Sequence, residues 1–311
     1  MNSRKTSILC YGKSGVGKST QARYLAEYIW RRSKKRTRYI ALDRGSLWSP
    51  VQDLVDEGIV IPIEFQTASE FNPMAVMRKL RRGEIPKGGK INMPTRVQQN
   101  GKVQYKPNTE WIPWDQQPEE ERPGLIVVDS ITSFATSFMS DAKQKNIRMG
   151  NESGAAPREE EGEISGTNTQ THYGDAHLEV LDAINAFQAL PVEIVFFTAL
   201  EDTGTDDSTG SKRIALGPAT VGKAIVSVIP QRVQNNFRLT AEGTGSGRKV
   251  SAWYQDHPSD INNVLWPSKV GLLPHELPEF WKAFPRGFIP LSLEKGISEF
   301  LEWRDKMRER K

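Results

Sequence analysis

The stretch TSILCYGKSGVGKSTQARYLAEYIWRR, residues 6–32, passes from an apolar run through a glycine-rich turn into a helical period. Thr6 to Tyr11 has strand character, and Ala22, Leu25, Ala26 and Ile29 recur at helical spacing. Between them Gly12-Lys13-Ser14-Gly15-Val16-Gly17-Lys18-Ser19 fills every fixed position of G-x-x-x-x-G-K-[ST], with Thr20 following. The spacing has a physical reason. Glycines let successive backbone N–H groups turn inward into an anion nest where a Cβ would clash or forbid the angles. The helix that starts near Lys18 adds its positive dipole end. Lys18 is then expected on the β- and γ-phosphates of a nucleoside triphosphate, and the Ser19 hydroxyl on Mg²⁺. A chance match in a glycine-rich turn would not bring both the strand and the helix.

Such a site needs a carboxylate for the metal shell. GLIVVDS (124–130) is a continuous apolar run of the kind buried on both faces of a parallel sheet, and it ends on Asp129. Strands also end on Asp as a cap for the next helix. Paired with the loop, Asp129 is assigned to Mg²⁺ through a water. The hydrolytic base must reach the water that attacks the terminal phosphate at a strand's C-terminal end. Asp43, Glu64 and Glu201 stand at or near such ends, each with an ordinary loop carboxylate as its rival reading, and Asp43 is the choice among them.

Outward from this centre, strand and helix signals alternate. RYIALD (38–43) and IVIPIEF (59–65) read as strands, SPVQDLVDEG as a short helix closed by Gly58, and NPMAVMRKLRR (72–82) as a helix with Pro73 in its first turn. Periodicity is lost from Gly83 to Pro118, where Asn100-Gly101 between TRVQQ and KVQY signals a β-hairpin insertion, about 83–118. Residues 143–173 and 201–213 read as polar loops, a helix spans Ala176 to Leu190, and VEIVFFTAL (192–200) is another apolar strand. The stretch from Gly217 to Leu239 begins a small β-rich end, FRLTAEGTGSGRKVSAWYQ reads as a hairpin around GTGSG, and EKGISEFLEWRDKMRERK looks like a terminal amphipathic helix. The pattern predicts an α/β fold with a mostly parallel, doubly wound sheet. A main domain is expected over 1–278 and a helical tail over 279–311.

The chain of 311 residues is long enough to bury a large core without staples. Its one cysteine, Cys10, permits no internal disulfide and no cysteine-based zinc cluster. No stretch approaches the ~18 apolar residues of a membrane span, and the first residues do not read as a signal peptide. A cytoplasmic location without membrane contact is expected. The net charge of +4 says less than its distribution. Nine Lys or Arg lie between Arg78 and Lys106 against a single Glu84, and RRSKKRTR (31–38) adds six more. Such segregation suggests a polyanionic partner, with a solvated face as the bland alternative. In the insertion these cations stand with Tyr105, Trp111 and Trp114, which could offer base-stacking platforms or pack on the body.

The phosphate loop, VVDSITSF (127–134) and VFFTALED (195–202) resemble the RecA-like ATPases. A closer likeness, to phage-encoded RecA-like nucleotide-binding proteins of single-strand annealing and recombination, lies in three stretches. They are YGDAHLEVLDAINAFQALPVEIVFFTA (173–199), LGPATVGKAIVSVIPQRVQNNFRL (216–239) and SKVGLLPHELP (268–278). The resemblance implies a RecA-like core, ATP hydrolysis with Mg²⁺, single-stranded DNA bound through the loops 143–173 and 201–216, and a homo-oligomer with nucleotide at subunit interfaces. A single-strand-binding protein is a further implied partner. Thr198 would occupy the polar position that senses the terminal phosphate. Lys269 would complete a neighbour's site, with Arg213 and Lys223 as rivals. One departure stands out: where RecA has a glutamate two positions past the acidic end of the second strand, this chain has Gly45. That leaves open a nucleotide-gated assembly protein with little turnover. A small-molecule kinase fits less well, since the long polar loops lack the Arg-rich lid such enzymes use.

Overall fold

Short runs rich in Val, Ile, Tyr and Phe form the strands, because β-branched and aromatic side chains pack well on a buried pleated surface. The computed structural model describes residues 5–42, 50–64, 78–87, 95–99, 102–106, 109–139, 170–206, 213–220, 226, 228–243, 247–254, 263–265 and 270–309. The first strands are β1 (Thr6–Gly12), β2 (Thr37–Ala41), β3 (Val60–Glu64), β4 (Glu84–Pro86), β5 (Thr95–Gln99), β6 (Lys102–Lys106) and β7 (Trp111–Pro113). They are followed by β8 (Leu125–Asp129), β9 (Ile194–Asp206), β10 (Arg213–Pro218), β11 (Asn235–Glu242), β12 (Lys249–Trp253), β13 (Asn263–Leu265) and β14 (Phe288–Leu291). The helices are α1 (Lys18–Ser33), α2 (Gln52–Asp56), α3 (131–139), α4 (Gln170–Ala189), α5 (Val228–Arg232), α6 (Leu277–Ala283) and α7 (Ser298–Glu309).

The main sheet is parallel through β3-β2-β8-β9-β1-β11 and continues antiparallel into β12 and β14. Period-two alternation sends its side chains into two cores. Leu9, Tyr11, Val128 and Phe197 face the layer of α3 and α4, which answers with Phe134, Phe138, Val180 and Phe187. Ile8, Cys10, Val127 and Phe196 face α1 and α7, which supply Leu25, Ile29, Phe300 and Leu301. The α/β class and the mostly parallel, doubly wound sheet are therefore as expected. Strand β9, late in sequence, lies between β1 and β8. That order brings the C-terminal ends of three strands together, where open α/β sheets bind ligands.

The hairpin is present: β5 and β6 pair antiparallel from Thr95↔Lys106 to Gln99↔Lys102. A second ladder, β4–β7, pairs Ile85 with Ile112, and the Trp114 amide donates to the Gly83 carbonyl at 2.7 Å. Trp114 is a core residue at 4% exposure, packed with Leu80, Ile85 and Leu190, and Trp111 lies half-buried under the Lys79 ammonium. Neither indole is an open stacking platform, because so large an apolar ring gains most from burial. The expected loop after Leu200 is corrected too. Glu201–Asp206 prolong β9 and pair antiparallel with β10, so a polar, threonine-rich stretch serves as a ribbon held by its backbone ladder. Within the expected helical tail, β14 adds an edge strand and Phe300 meets Phe237 edge-on, while residue 278 falls inside α6. Residues 143–169 lie outside the described residues. Among those described, no helix is long and apolar enough to cross a membrane.

Candidate functional site

At Gly12 the buried β1 turns into the phosphate loop. A Cβ there would come within 2.6 Å of the Leu239 carbonyl oxygen on β11, so the approach admits only glycine. Gly17, with φ 99°, is the N-cap of α1 in a left-handed conformation that a side chain would strain. Val16 anchors the loop in the core, while Lys13, Ser14 and Gly15 are exposed. Because α1 begins at Lys18, its positive end and the amides of Lys18, Ser19 and Thr20 stand at the loop. The Lys18 ammonium donates to the carbonyls of Gly12 at 2.9 Å and Lys13 at 2.8 Å, which folds its charge into the loop.

Asp129 ends β8 beside this loop and is 3% exposed. Its Oδ2 accepts hydrogen bonds from Ser19 Oγ at 2.7 Å and from Tyr39 Oη at 2.5 Å, and its Oδ1 accepts from Thr198 Oγ1. Strand parity explains the meeting. Asp129 shares a face with Val127, Thr198 with Phe196 and Tyr39 with Ala41, all toward the α1 layer. The register supplies the height, with Tyr39 beside Val127, Ala41 beside Asp129, and Cys10 beside Thr198. A carboxylate and a hydroxyl in contact are hard oxygen donors of the kind magnesium takes. No cluster of three or more His, Cys, Asp or Glu suited to a metal occurs among the described residues, so other ligands of an ion here would come from water and phosphate.

The other expected residues are placed differently. Asp43, Lys223 and Lys269 lie outside the described residues. Glu64 ends β3 at the sheet edge, two strands from Asp129, and Arg213 opens β10. Glu201 forms a buried two-point ion pair with Arg238, at 2.8 and 3.2 Å, which bridges β9 and β11 across the end of β1. A carboxylate so engaged is a structural brace rather than a ready base. Two site residues escaped sequence reasoning. Tyr39 looks like any strand aromatic, and only the strand order sets its hydroxyl on Asp129. Arg248, just before β12, donates to the Gly15 carbonyl at the loop's tip.

Thr132 adds a mechanical link. From the first turn of α3, three residues past Asp129, its hydroxyl accepts from the Leu200 amide at 2.9 Å and donates to the Ala219 carbonyl at 2.8 Å. The base of the β9–β10 ribbon is thereby tied to the strand end that carries Asp129.

A solved structure, the KaiC-like protein PH0186 from the hyperthermophilic archaeon Pyrococcus horikoshii OT3, is similar at 11% identity with a TM-score of 0.38. The match covers 80% of this chain and 77% of that one. No curated protein matches the chain. A family model described as AAA domain (AAA_24) matches residues 4–243, from just before β1 to just past β11. That span takes in the loop, Asp129 and the strand between them, and the chain belongs to this AAA-domain family, with a P-loop ATPase core.

Proposed function

We propose that the chain binds Mg·ATP at residues 12–20, hydrolyses it, and couples the turnover to single-stranded DNA in recombination or annealing of the phage type. The 2.7 Å bond from Ser19 to Asp129 carries this reading, because it joins the metal-binding hydroxyl of the loop to a buried carboxylate. Lys18 holds the β- and γ-phosphates. Ser19 and Asp129 hold Mg²⁺, which neutralises charge on the phosphates. Thr198, through Asp129, reports the state of the terminal phosphate. Asp43 orients the attacking water, and Lys269 completes the site of a neighbour in a homo-oligomer. The basic excess between Arg78 and Lys106 supports a DNA partner.

A second reading, nucleotide-gated assembly with little turnover, draws on three of those cations. Lys79 pairs with Glu84 at 2.7 Å, Lys87 with Glu110 at 2.9 Å, and Arg81 with Glu179, so part of the basic charge is answered within the fold. ATP turnover by the full chain, with and without single-stranded DNA at two salt concentrations, separates the readings. Salt-sensitive stimulation supports the first, since each phosphate contact releases counterions. Binding without DNA-dependent turnover supports the second. Lys18→Ala is expected to weaken ATP binding at least about 100-fold, the scale of a lost charge-assisted contact to phosphate. Unchanged binding in that variant removes the site assignment.

A further inference from the structure

Arg248 reaches the phosphate loop from 233 positions away in the chain, so the contact is a product of the fold. It stands immediately before β12, whose partner β11 presses the Leu239 carbonyl against Gly12. The β11–β12 hairpin thus meets the loop twice, once under its entry and once at its tip. Arg248 also brings a cation to a loop that already carries Lys13 and Lys18, and it is half-buried at the rim.

A carbonyl takes a single neutral-acceptor bond from a guanidinium. A phosphate oxygen takes a charge-assisted one, and the planar fork of Arg meets two oxygens at once. Phosphate at the loop's rim is therefore the better acceptor for Arg248. We propose that Arg248 exchanges the Gly15 carbonyl for the terminal phosphate of a bound nucleoside triphosphate, so that the chain tells triphosphate from diphosphate within one subunit. This deepens the nucleotide reading above and rests on it. Lys18, spanning two phosphates, cannot by itself make that distinction as sharply. If Arg248 only props the loop tip, its loss affects both nucleotides alike.

Calorimetric titration of the full chain with a non-hydrolysable ATP analogue and with ADP, each with magnesium, tests the idea in wild type, Arg248→Ala and Arg248→Lys. Arg248→Ala should weaken the triphosphate about 10- to 100-fold and the diphosphate by less than about threefold, the range for one hydrogen-bonded contact to a charged group. Arg248→Lys should recover part of the loss, because it restores the charge without the fork. Equal losses for both nucleotides, or none for either, overturn the inference while leaving the loop as a nucleotide site. Wild-type protein that binds neither nucleotide overturns the site reading itself. Should Arg248→Ala fail to fold, Arg248→Gln carries the same comparison.

Discussion

Asp129 and Arg38 sit on neighbouring strands, β8 and β2, each almost fully buried, at opposite ends and on opposite faces of the sheet. Asp129 accepts from Ser19, Tyr39 and Thr198, so its charge is held by donors from three other elements. Arg38 has no such company. Its Nε and Nη1 find no partner, and the same holds for the amide atoms of Gln117 and the indole nitrogen of Trp114 in the segment after the insertion's ladder. Burial pushes the Arg38 guanidinium down to about 10, against a smaller opposing pull from Glu121. The contrast separates two kinds of buried polarity. Where phosphate chemistry is proposed, each oxygen of the charged group has a fixed donor. At the sheet's other end, polar atoms are carried inward by residues whose apolar parts the core needs.

The largest expected effect tests the well-satisfied half of this contrast. Asp129→Asn keeps the shape but turns an amide toward hydroxyls that now donate to a carboxylate, and it removes the charge that would hold magnesium. Steady-state ATP turnover should fall at least about 100-fold, as loss of a metal-anchoring charge implies. Nucleotide binding measured without magnesium should change little, since Lys18 and the loop amides remain. Turnover within a few-fold of wild type would make the Asp129 network ordinary core polarity and dissolve the comparison.

Sequence reasoning reached the half of the site that is local in the chain. Glycine spacing fixes a loop's backbone, and an apolar run ending in Asp marks both a buried strand and the carboxylate at its end. Asn-Gly between strand-like pieces likewise gave the hairpin. What it missed depends on which strands become neighbours. Tyr39 and Asp129 are 90 positions apart, and they meet because β2 pairs with β8. The Glu201–Arg238 brace needs β9 and β11 to flank β1, an order no local pattern encodes. The ribbon after Leu200 was misread because its side chains are polar, while its pairing lives in the backbone. Trp114 was left open between stacking platform and core because charged residues surround it in the chain, and its burial decides for the core.

The poorly satisfied half yields a prediction of opposite sign. Replacing Arg38 by Met removes a charge with few partners and keeps most of the apolar volume, a change that is often neutral or stabilising by about 1–3 kcal/mol. Because burial lowers the folded guanidinium below its ordinary value, it holds its proton less tightly when folded. The penalty is fully present below about pH 10 and is relieved only above it, so the variant's advantage should be flat between about pH 6 and pH 9. Thermal midpoints across that range provide the check. A lowered midpoint would mean that ordered water or another group serves Arg38 in solution, and the two ends of the sheet would then be alike.

The smallest effect is the most specific. Tyr39→Phe deletes one hydroxyl and leaves the ring in the core, so packing is nearly conserved. Asp129 Oδ2 then keeps Ser19 as its remaining strong donor, and the carboxylate can rotate about its own axis. Loss of one hydrogen bond to a charged acceptor is worth about 1.5–3 kcal/mol, but rotation and entering water recover part of it. The magnesium concentration that half-saturates turnover should therefore rise only about three- to tenfold, with turnover at saturating magnesium close to wild type. A purely structural Tyr39 would instead lower the thermal midpoint and leave the magnesium dependence unmoved. The split between those two readouts decides whether the third strand of the network serves the site or only the sheet.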